Sequence, residues 1–409
     1  MVNNRFAWFI AGFASLALMV SNGMTISGLS VYDVAFIEHF GWSMGGIKFR
    51  DLITLALTGL LAPFAGILLD RYGVRRCMLV GWLVLAFGYL GYSQLNSLAG
   101  MYIIHASFAI VLVFCGLNAV VILVSNWFVR YRGTAIGITL TGSSLGGAIF
   151  PQYGTRMMAS FDWQWAMLVA IAFPVILLLL TWFFVRDRPS VQASMPALGE
   201  TGTMAATGTD VAYADALRTR TFWALAVIAM CTFYTVLGVQ AHVFKYMRDS
   251  GFDAQVATNA ISIFFLCALV GKFLFGLLAD IIDSRRVFYG NMIVMLIGSI
   301  ILARMDIALV WVAVVTFGLG WGSAYTMLQL TVMNTFGLRD AGKILGTITI
   351  LDAIGGGLGI WLTGVMYDRA GSYELPFMIF SGLVGFALIC FTSVRPLTAA
   401  QAGQVSATP

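Results

Sequence analysis

The chain has 409 residues, of which 60% are hydrophobic and only 10% are charged, and its formal net charge is +5. Soluble globular domains carry about 25% charged residues, so the composition excludes that class of protein. The basic excess does not indicate nucleic-acid binding, because the lysines and arginines stand in short loops between long apolar runs. Runs of about 20 apolar residues are long enough to cross a bilayer as helices, and they predict an all-α membrane protein.

Cysteine spacing and the chain start add further exclusions. The five cysteines lie mostly inside apolar runs and form no CxxC pair, so neither a metal site nor a disulfide framework is expected. No nucleotide-binding P-loop motif is present. We therefore expect no cofactor, no catalytic site and no enzymatic activity. The start, "MVNNRFAWFI", lacks an A-x-A cleavage signal, and we interpret it as leading into the first span.

The apolar runs predict twelve transmembrane helices in two groups of six. The predicted spans are 8–36, 44–69, 76–95, 100–127, 133–158, 164–185, 221–247, 254–279, 286–303, 307–333, 342–367 and 373–394. Residues 186–220 are polar and rich in Ser, Thr, Gly and Ala, which is typical of a flexible linker. The predicted domains are an N-terminal six-helix bundle at 1–190, a linker at 191–218, a C-terminal six-helix bundle at 219–400 and a flexible tail at 401–409.

The two halves are related by an internal repeat. The offset stays near 210 residues over much of the chain, and it places two polar residues at matching helix N-caps. Weak internal symmetry of this kind is typical of transporters, whose substrate site lies near the bilayer midplane between the repeats. The matched pairs are Gly41 with Gly251, Ser43 with Asp253 and, at an offset of 209, Gly146 with Gly355.

Lysine and arginine concentrate in alternate loops, and we call that side of the membrane the Arg-rich side and the other the Arg-poor side. The positive-inside rule predicts that both termini and the linker are cytoplasmic. The basic residues that set this orientation are Arg5, Arg71, Arg75, Arg76, Arg130, Arg132, Arg186, Arg188, Arg218, Arg220, Arg285, Arg286, Arg339, Lys343 and Arg395.

The loop "LAPFAGILLDRYGVRRC" at 61–77 resembles the signature loop of the major facilitator superfamily, and "GKFLFGLLADIIDSRRV" at 271–287 resembles its degraded second copy. Finer stretches, such as "NWFVRYRGTAIGI" at 126–138, are similar to the monocarboxylate and oxalate/formate branch. Span 1 lacks the acidic-glycine-tryptophan motif of animal monocarboxylate carriers. The resemblance implies two six-helix bundles, a monomeric carrier and a bacterial inner-membrane location.

Lys272 stands in an apolar run where the first copy of the repeat has Ala62. It lies eight residues before Asp280, hence roughly 12 Å into the membrane. A charge near the bilayer centre costs on the order of 2.5–3.5 kcal/mol, so it is retained only beside a cavity or a partner. The carriers that this chain resembles have an arginine here that binds substrate carboxylate. Lys272 is therefore either a packing residue paired with a buried acid or a cation that attracts an anionic substrate.

Asp352 is the second intramembrane charge, ten residues after Gly342 and roughly 15 Å from the Arg-rich end. A buried carboxylate is either paired or protonated. Lys272 is a plausible partner, and the pair is either a static salt bridge or a couple that exchanges its ion pair for a substrate anion and a proton. The oxalate carrier has a second cation where this chain has Ile348, so one cation predicts a monoanion.

A charge cluster formed by Lys48, Arg50 and Asp51 begins span 2, near the Arg-poor surface, and Asp33 is close to it on this arrangement. One interpretation is an interfacial set with snorkelling side chains. The other is a gate, or an additional anion or proton site. Asp33 and Asp51 thus join Asp352 and Lys272 as candidates for proton coupling.

Other polar residues are candidates for lining the substrate site or for gating it. A histidine in span 7 can hydrogen-bond a substrate or carry a proton, or it can be a core histidine. The substrate-binding candidates besides Lys272 are His242, Tyr32, Gln240, Asn118 and Tyr325. A latch between neighbouring helix ends on the cytoplasmic side is expected from Asp70, Arg71, Arg75, Arg76, Asp280 and Arg285.

The sequence therefore predicts a secondary active carrier of a small organic anion, with proton-coupled monocarboxylate symport by rocking of two bundles as the main hypothesis. Its partners would be the substrate, protons and the lipid bilayer, without nucleic acid. An anion exchanger of the oxalate/formate type and an exporter of drugs or siderophores are the alternatives. A membrane receptor lacks support, because no appended domain is present.

Overall fold

The computed structural model describes residues 4–128, 131–186, 211–337 and 340–394, and within these ranges it contains helices and no strands. The all-α prediction is confirmed. The predicted linker lies outside the described residues as far as residue 210, and so does the whole of the predicted tail at 401–409.

Sixteen α-helices and two short 3₁₀ helices make up the described chain. The 3₁₀ helices are Ser27–Tyr32 and Ile307–Leu309. The α-helices are α1 Asn4–Thr25, α2 Asp33–Phe40, α3 Met44–Tyr72, α4 Val74–Ser93, α5 Leu98–Cys115, α6 Leu117–Trp127, α7 Arg132–Ser160, α8 Trp163–Ala170, α9 Ala172–Phe184, α10 Tyr213–Ala216, α11 Arg220–Asp249, α12 Ala254–Ile281, α13 Ser284–Ala303, α14 Val310–Phe336, α15 Ala341–Ala370 and α16 Glu374–Thr392.

Eleven apolar segments in the described residues are long enough to cross a membrane. A twelfth is α3, when Met44–Ala62 and Phe64–Tyr72 are counted as one bent span. The sequence has a proline at position 63, between these two parts. The predicted number of twelve is therefore the upper of the two counts.

The internal repeat extends to local backbone geometry. Gly41 and Gly251 both adopt left-handed conformations, with φ of 69° and 90°, which favour glycine. Ser43 Oγ accepts the N–H of the residue three positions later at 3.1 Å, and Asp253 Oδ1 does the same at 2.8 Å. The predicted pair of N-caps is confirmed.

Packing divides the chain into two compact units. Unit 1 contains Met1–Gln192, Gln240–Leu266 and Ile360–Gly371, and unit 2 contains Ala193–Val239, Cys267–Gly359 and Ser372–Pro409. Helices α11, α12 and α15 thus contribute residues to both units. The predicted division into bundles at 1–190 and 219–400 stays a prediction.

Small residues bring helices close together in both units. In unit 1, a Cβ atom on Gly146 of α7 would lie 2.4 Å from the carbonyl oxygen of Met19 in α1. In unit 2, a Cβ atom on the repeat partner Gly355 of α15 would lie 2.5 Å from the carbonyl oxygen of Met230 in α11. Close backbone approach at small residues is how membrane helices gain packing contacts, and here the repeat preserves it.

Candidate functional site

The charged residues at the start of α3 form a buried ionic network with Asp33, which begins α2. Lys48 Nζ lies 2.5 Å from Asp33 Oδ2, and Arg50 Nη2 lies 2.6 Å from Asp33 Oδ1. Arg50 Nη2 also donates to the Leu29 carbonyl at 3.2 Å. The Asp33 carboxylate therefore pairs with both cations, and the Leu29 carbonyl accepts a further hydrogen bond from Arg50. We call Asp33, Lys48, Arg50 and Asp51 the buried charge cluster.

Asp51 is the most loosely held member of the cluster. Its Oδ1 atom lies 3.7 Å from Arg50 Nε, which is an ion-pair distance but not a hydrogen bond. The cluster contains two carboxylates and two cations, so its formal charge is zero. This balance matters, because buried ions are tolerated only when they are paired and hydrogen-bonded.

The interpretation of this cluster as a surface set with snorkelling side chains is wrong. The side chain of Lys48 is 1% exposed and that of Arg50 is 0% exposed. The reason is the break after α1, where the 3₁₀ helix Ser27–Tyr32 is buried along its whole length and delivers Asp33 to the interior. Once Asp33 is inside, the cations of α3 are held inside with it.

The polar network continues from the cluster to His105, which the sequence did not single out. Thr54 stands one turn after Arg50 on α3, and its Oγ1 lies 2.7 Å from His105 Nδ1. Tyr92 OH lies 2.6 Å from His105 Nε2. The i, i+4 spacing of Arg50 and Thr54 indicates that they lie on the same face of α3. His105 is a long-range contact, and no local pattern indicates it.

The substrate-binding candidates of unit 1 are mostly engaged inside its packed interior. His242 Nε2 donates to the Ile360 carbonyl at 2.9 Å, and Gln240 Nε2 donates to Ser27 Oγ at 3.1 Å. Tyr32 is buried in the 3₁₀ helix, whereas Asn118 at the start of α6 is exposed. Their role toward a substrate stays a prediction.

Unit 2 contains the intramembrane pair, Lys272 on α12 and Asp352 on α15. Lys272 is partly buried, and Asp352 is 5% exposed. The predicted ion pair between them is not formed, since Asp352 is in none of the ion pairs of the described residues. Its Oδ2 atom has no hydrogen-bond partner within the described ranges. Tyr325 lies within electrostatic reach of this carboxyl, and its hydroxyl is 3.5 Å from Thr349 Oγ1.

Two of the predicted gate arginines make the same contact in the two copies of the repeat. Arg75 Nη2 donates to the Trp182 carbonyl at 2.5 Å, and Arg285 Nη2 donates to the Thr392 carbonyl at 3.3 Å. Both the donors and the acceptors are 210 residues apart. Each arginine thus ties the start of a span to the end of the last span of its own half. The other gate candidates Asp70, Arg71, Arg76 and Asp280 are exposed.

On the Arg-poor side of unit 1, two side-chain contacts join helices that are distant in sequence, and we call these contacts seams. The sequence did not predict them. In one seam, Asp368 of α15 accepts the backbone N–H of Met44 at 2.8 Å and that of Gly45 at 2.7 Å, so that it caps the start of α3. A carboxylate is favourable there because the N-terminus of a helix is partly positive. In the other seam, Gln152 of α7 donates to the side chain of Asn259 of α12 at 2.9 Å.

The family comparison matches most of the chain. A family model described as the Major Facilitator Superfamily matches residues 9–360. In structure, the chain is similar to the nucleoside transporter NupG, with a TM-score of 0.73 and 12% sequence identity over 95% of this chain and 99% of that one. At this identity the likeness concerns the fold alone.

Two curated relatives differ in what their names describe. The chain is 24% identical over 342 residues to the Fujikurins efflux protein of Gibberella fujikuroi, covering 80% of this chain and 70% of the relative. It is 25% identical over 365 residues to Monocarboxylate transporter 13 of Bos taurus, covering 87% of this chain and 81% of the relative.

Charge balance in the buried charge cluster is testable with a pair of variants. Arg50→Met leaves Asp51 without its cation, and removing one member of a buried ion pair costs about 3–5 kcal/mol. The double variant Arg50→Met/Asp51→Asn restores neutrality, so we expect its thermal midpoint in detergent to lie between that of the single variant and that of the native protein. Arg220→Met, which removes an exposed arginine, is the control. A double variant no more stable than Arg50→Met would contradict the role of charge balance.

The Asp368 seam is testable by hydrogen–deuterium exchange. Asp368→Asn removes the carboxylate that accepts two backbone N–H groups, and a hydrogen bond to a charged group contributes about 1.5–3 kcal/mol. We expect faster exchange at residues 44–50. The matched control is Asp253→Asn, because Asp253 accepts a backbone N–H of its own helix. Equal exchange at residues 44–50 in the two variants would show that the seam does not hold α3.

Proposed function

Because the chain belongs to the major facilitator superfamily, we propose that it is a secondary active transporter of a small organic anion and works as a proton-coupled monocarboxylate symporter. Asp352 carries the proposal. It is 5% exposed within a span, and its Oδ2 atom has no hydrogen-bond partner in the described part of the chain. A carboxylate in that setting is costly unless it binds a proton or meets a cation, which is the property that coupling requires.

Lys272 supplies the positive charge for the substrate carboxylate in this proposal. It belongs to the same unit as Asp352, and it is the one lysine or arginine in the interior of a span among the described residues of unit 2. A lysine acts as a flexible point charge rather than as a two-pronged fork, so it can bind one carboxylate without a fixed orientation. Tyr325, near Asp352, offers a hydroxyl to the same ligand.

The number of cations in unit 2 favours a monoanion. Ile348 lies one turn before Asp352 and belongs to the apolar core of unit 2. A dicarboxylate would therefore meet one ammonium group and leave its second charge without a partner. Burying such a charge is unfavourable, and this supports a substrate with a single carboxylate.

Asp51 is the second candidate for proton coupling. Asp33 is neutralised at short range by two cations, whereas Asp51 is 3.7 Å from the nearest one. Protonation of Asp51 would cost less pairing energy than protonation of Asp33. If the two predicted bundles rock against each other, the two seams must break, because each joins a residue of 1–190 to a residue of 219–400. Asp51 lies near the start of α3, where Asp368 binds, so a proton on Asp51 would act close to one of these seams.

Export of a larger organic molecule is the second candidate function, and the similarity to the Fujikurins efflux protein favours it. Uptake into proteoliposomes with an imposed pH gradient distinguishes the candidates. Symport predicts accumulation of a short monocarboxylate that depends on the gradient. Exchange predicts uptake that depends on an internal counter-anion and ignores the gradient. Export of a larger compound predicts neither result with monocarboxylates.

Lys272→Ala is expected to reduce saturable monocarboxylate uptake by about tenfold or more, because an interaction of 1.4 kcal/mol corresponds to a factor of ten. Lys272→Arg should retain part of the uptake, since it keeps the positive charge. Lys343→Ala removes an exposed lysine from α15 and is the matched control. Equal uptake by Lys272→Ala and Lys343→Ala would remove Lys272 from the substrate site.

Asp352→Asn is expected to abolish accumulation driven by the pH gradient while exchange of labelled for unlabelled substrate continues, because an amide cannot take up the coupling proton. Asp306→Asn, which changes an acid that caps a short 3₁₀ helix, is the control. If Asp352→Asn accumulates substrate along the gradient as the native protein does, the coupling proton binds elsewhere, and Asp51→Asn becomes the variant to measure.

A further inference from the structure

A basic cavity of about 620 Å³ lies at the Arg-rich end of unit 1, where α3 ends, α4 begins and α9 ends. Four arginines line it: two from the first turn of α4, one from the end of α3 and one that follows α9. None of its lining residues in the described part of the chain is acidic. The lining residues that matter here are Arg71, Arg75, Arg76, Arg186, Tyr72 and Trp182.

The guanidinium groups of this cavity are available to a ligand to different degrees. Arg75 is positioned by its hydrogen bond to the Trp182 carbonyl and by the indole ring, whose centroid lies 5.4 Å from the guanidinium carbon. Arg71 lies over the Tyr72 ring at 5.5 Å. Arg76 and Arg186 are exposed and take part in none of the ion pairs that the described residues form.

The repeat shows that the fold does not require all of this charge. The second copy makes the same arginine-to-carbonyl contact with Arg285, and it keeps an arginine, Arg286, at the position of Arg76. At the position of Arg71 it has Ile281, and at the position of Trp182 it has Thr392. Holding the helix ends together therefore accounts for Arg75 but not for Arg71 and Trp182.

The cavity adjoins an apolar surface that faces outward from the protein. Leu79 and Trp182 are among its lining residues, and Trp182 is 57% exposed. One turn farther from the cavity, Leu83 on α4 and Leu179 on α9 are exposed as well. The cavity arginines thus lie next to an exposed apolar surface, with Trp182 between the two. This arrangement fits a molecule that has an anionic head and hydrocarbon chains.

We propose that this cavity binds the phosphodiester headgroup of an anionic phospholipid, with the acyl chains lying along α4 and α9. Arginine pairs with phosphate oxygens through two parallel N–H donors, which gives both charge and orientation. Arg76 and Arg186 would bind the phosphate, and Arg75 would hold the cavity wall. The bound lipid would bridge the start of α4 and the end of α9 and so stabilise unit 1.

Native mass spectrometry and thermal unfolding of the purified full-length protein test this proposal. The probes are phosphatidylglycerol, phosphatidylcholine and inorganic phosphate. We expect one retained phosphatidylglycerol, a rise in the thermal midpoint with that lipid, and no rise with phosphatidylcholine or phosphate. Arg76→Gln/Arg186→Gln should weaken phosphatidylglycerol binding by about 25-fold, because each arginine near an anionic lipid contributes about fivefold. Arg220→Gln/Arg286→Gln, which removes two exposed arginines outside the cavity, should bind as the native protein does.

Two results would overturn the proposal. Equal phosphatidylglycerol binding by the two double variants would show that the cavity is not the site. An equal thermal shift with inorganic phosphate would show that the ligand is a soluble anion rather than a lipid. If Arg76→Gln/Arg186→Gln does not fold, the native protein still decides the matter. Its lipid occupancy must then fall steeply with added salt, and an occupancy independent of salt would contradict an electrostatic headgroup site.

Discussion

The packing of unit 1 around the start of α3 depends on Asp33, because each of its carboxylate oxygens forms an ion pair with a different buried cation. Moving an ion from water into a protein interior costs several kcal/mol even after relaxation, and only close pairing offsets that cost. Lys48 at 2.5 Å and Arg50 at 2.6 Å meet this condition. The arrangement therefore needs Asp33 inside the unit, and so the break in the helix after Thr25 and the buried 3₁₀ helix follow from the same requirement. The start of α3 and the start of α2 are fixed to each other as a result.

The same desolvation cost applies to Asp352, but the structure offsets it differently. The buried charge cluster pairs each carboxylate with a cation, so it stabilises one arrangement of helices. Asp352 takes part in none of the ion pairs of the described residues, and its Oδ2 atom has no hydrogen-bond partner among them. A group in that state responds to whatever supplies a proton or a cation, which is the behaviour of a functional intramembrane acid. Asp51, paired only at 3.7 Å, stands between these two situations.

Local and repeated features were predictable from the sequence, and long-range contacts were not. The helix caps at Ser43 and Asp253 depend on residues three positions away, so the residue types alone indicate them. The burial of Lys48 and Arg50 depends on where Asp33 points after a change of helix type, which no periodicity reveals. Asp368 lies 324 residues from Met44, so their contact could not be found from either segment separately. The absence of a Lys272–Asp352 ion pair has the same origin, because depth along two helices does not fix the rotation of each helix about its axis.

A duplicated fold allows structural and functional residues to be separated by comparing its two copies. A contact that both copies make, such as Arg75 with Trp182 and Arg285 with Thr392, is required by the shared architecture. The shared architecture does not explain a charge that only one copy keeps. Lys272 in the second half is a residue of this kind, and so is Arg71, which lines the cavity in the first half. The first lies at membrane depth, where a transported anion would meet it, and the second lies at the end of the spans, where a lipid headgroup would. The asymmetry of the two signature loops is therefore what we expect if each half of the repeat has specialised for a different anion.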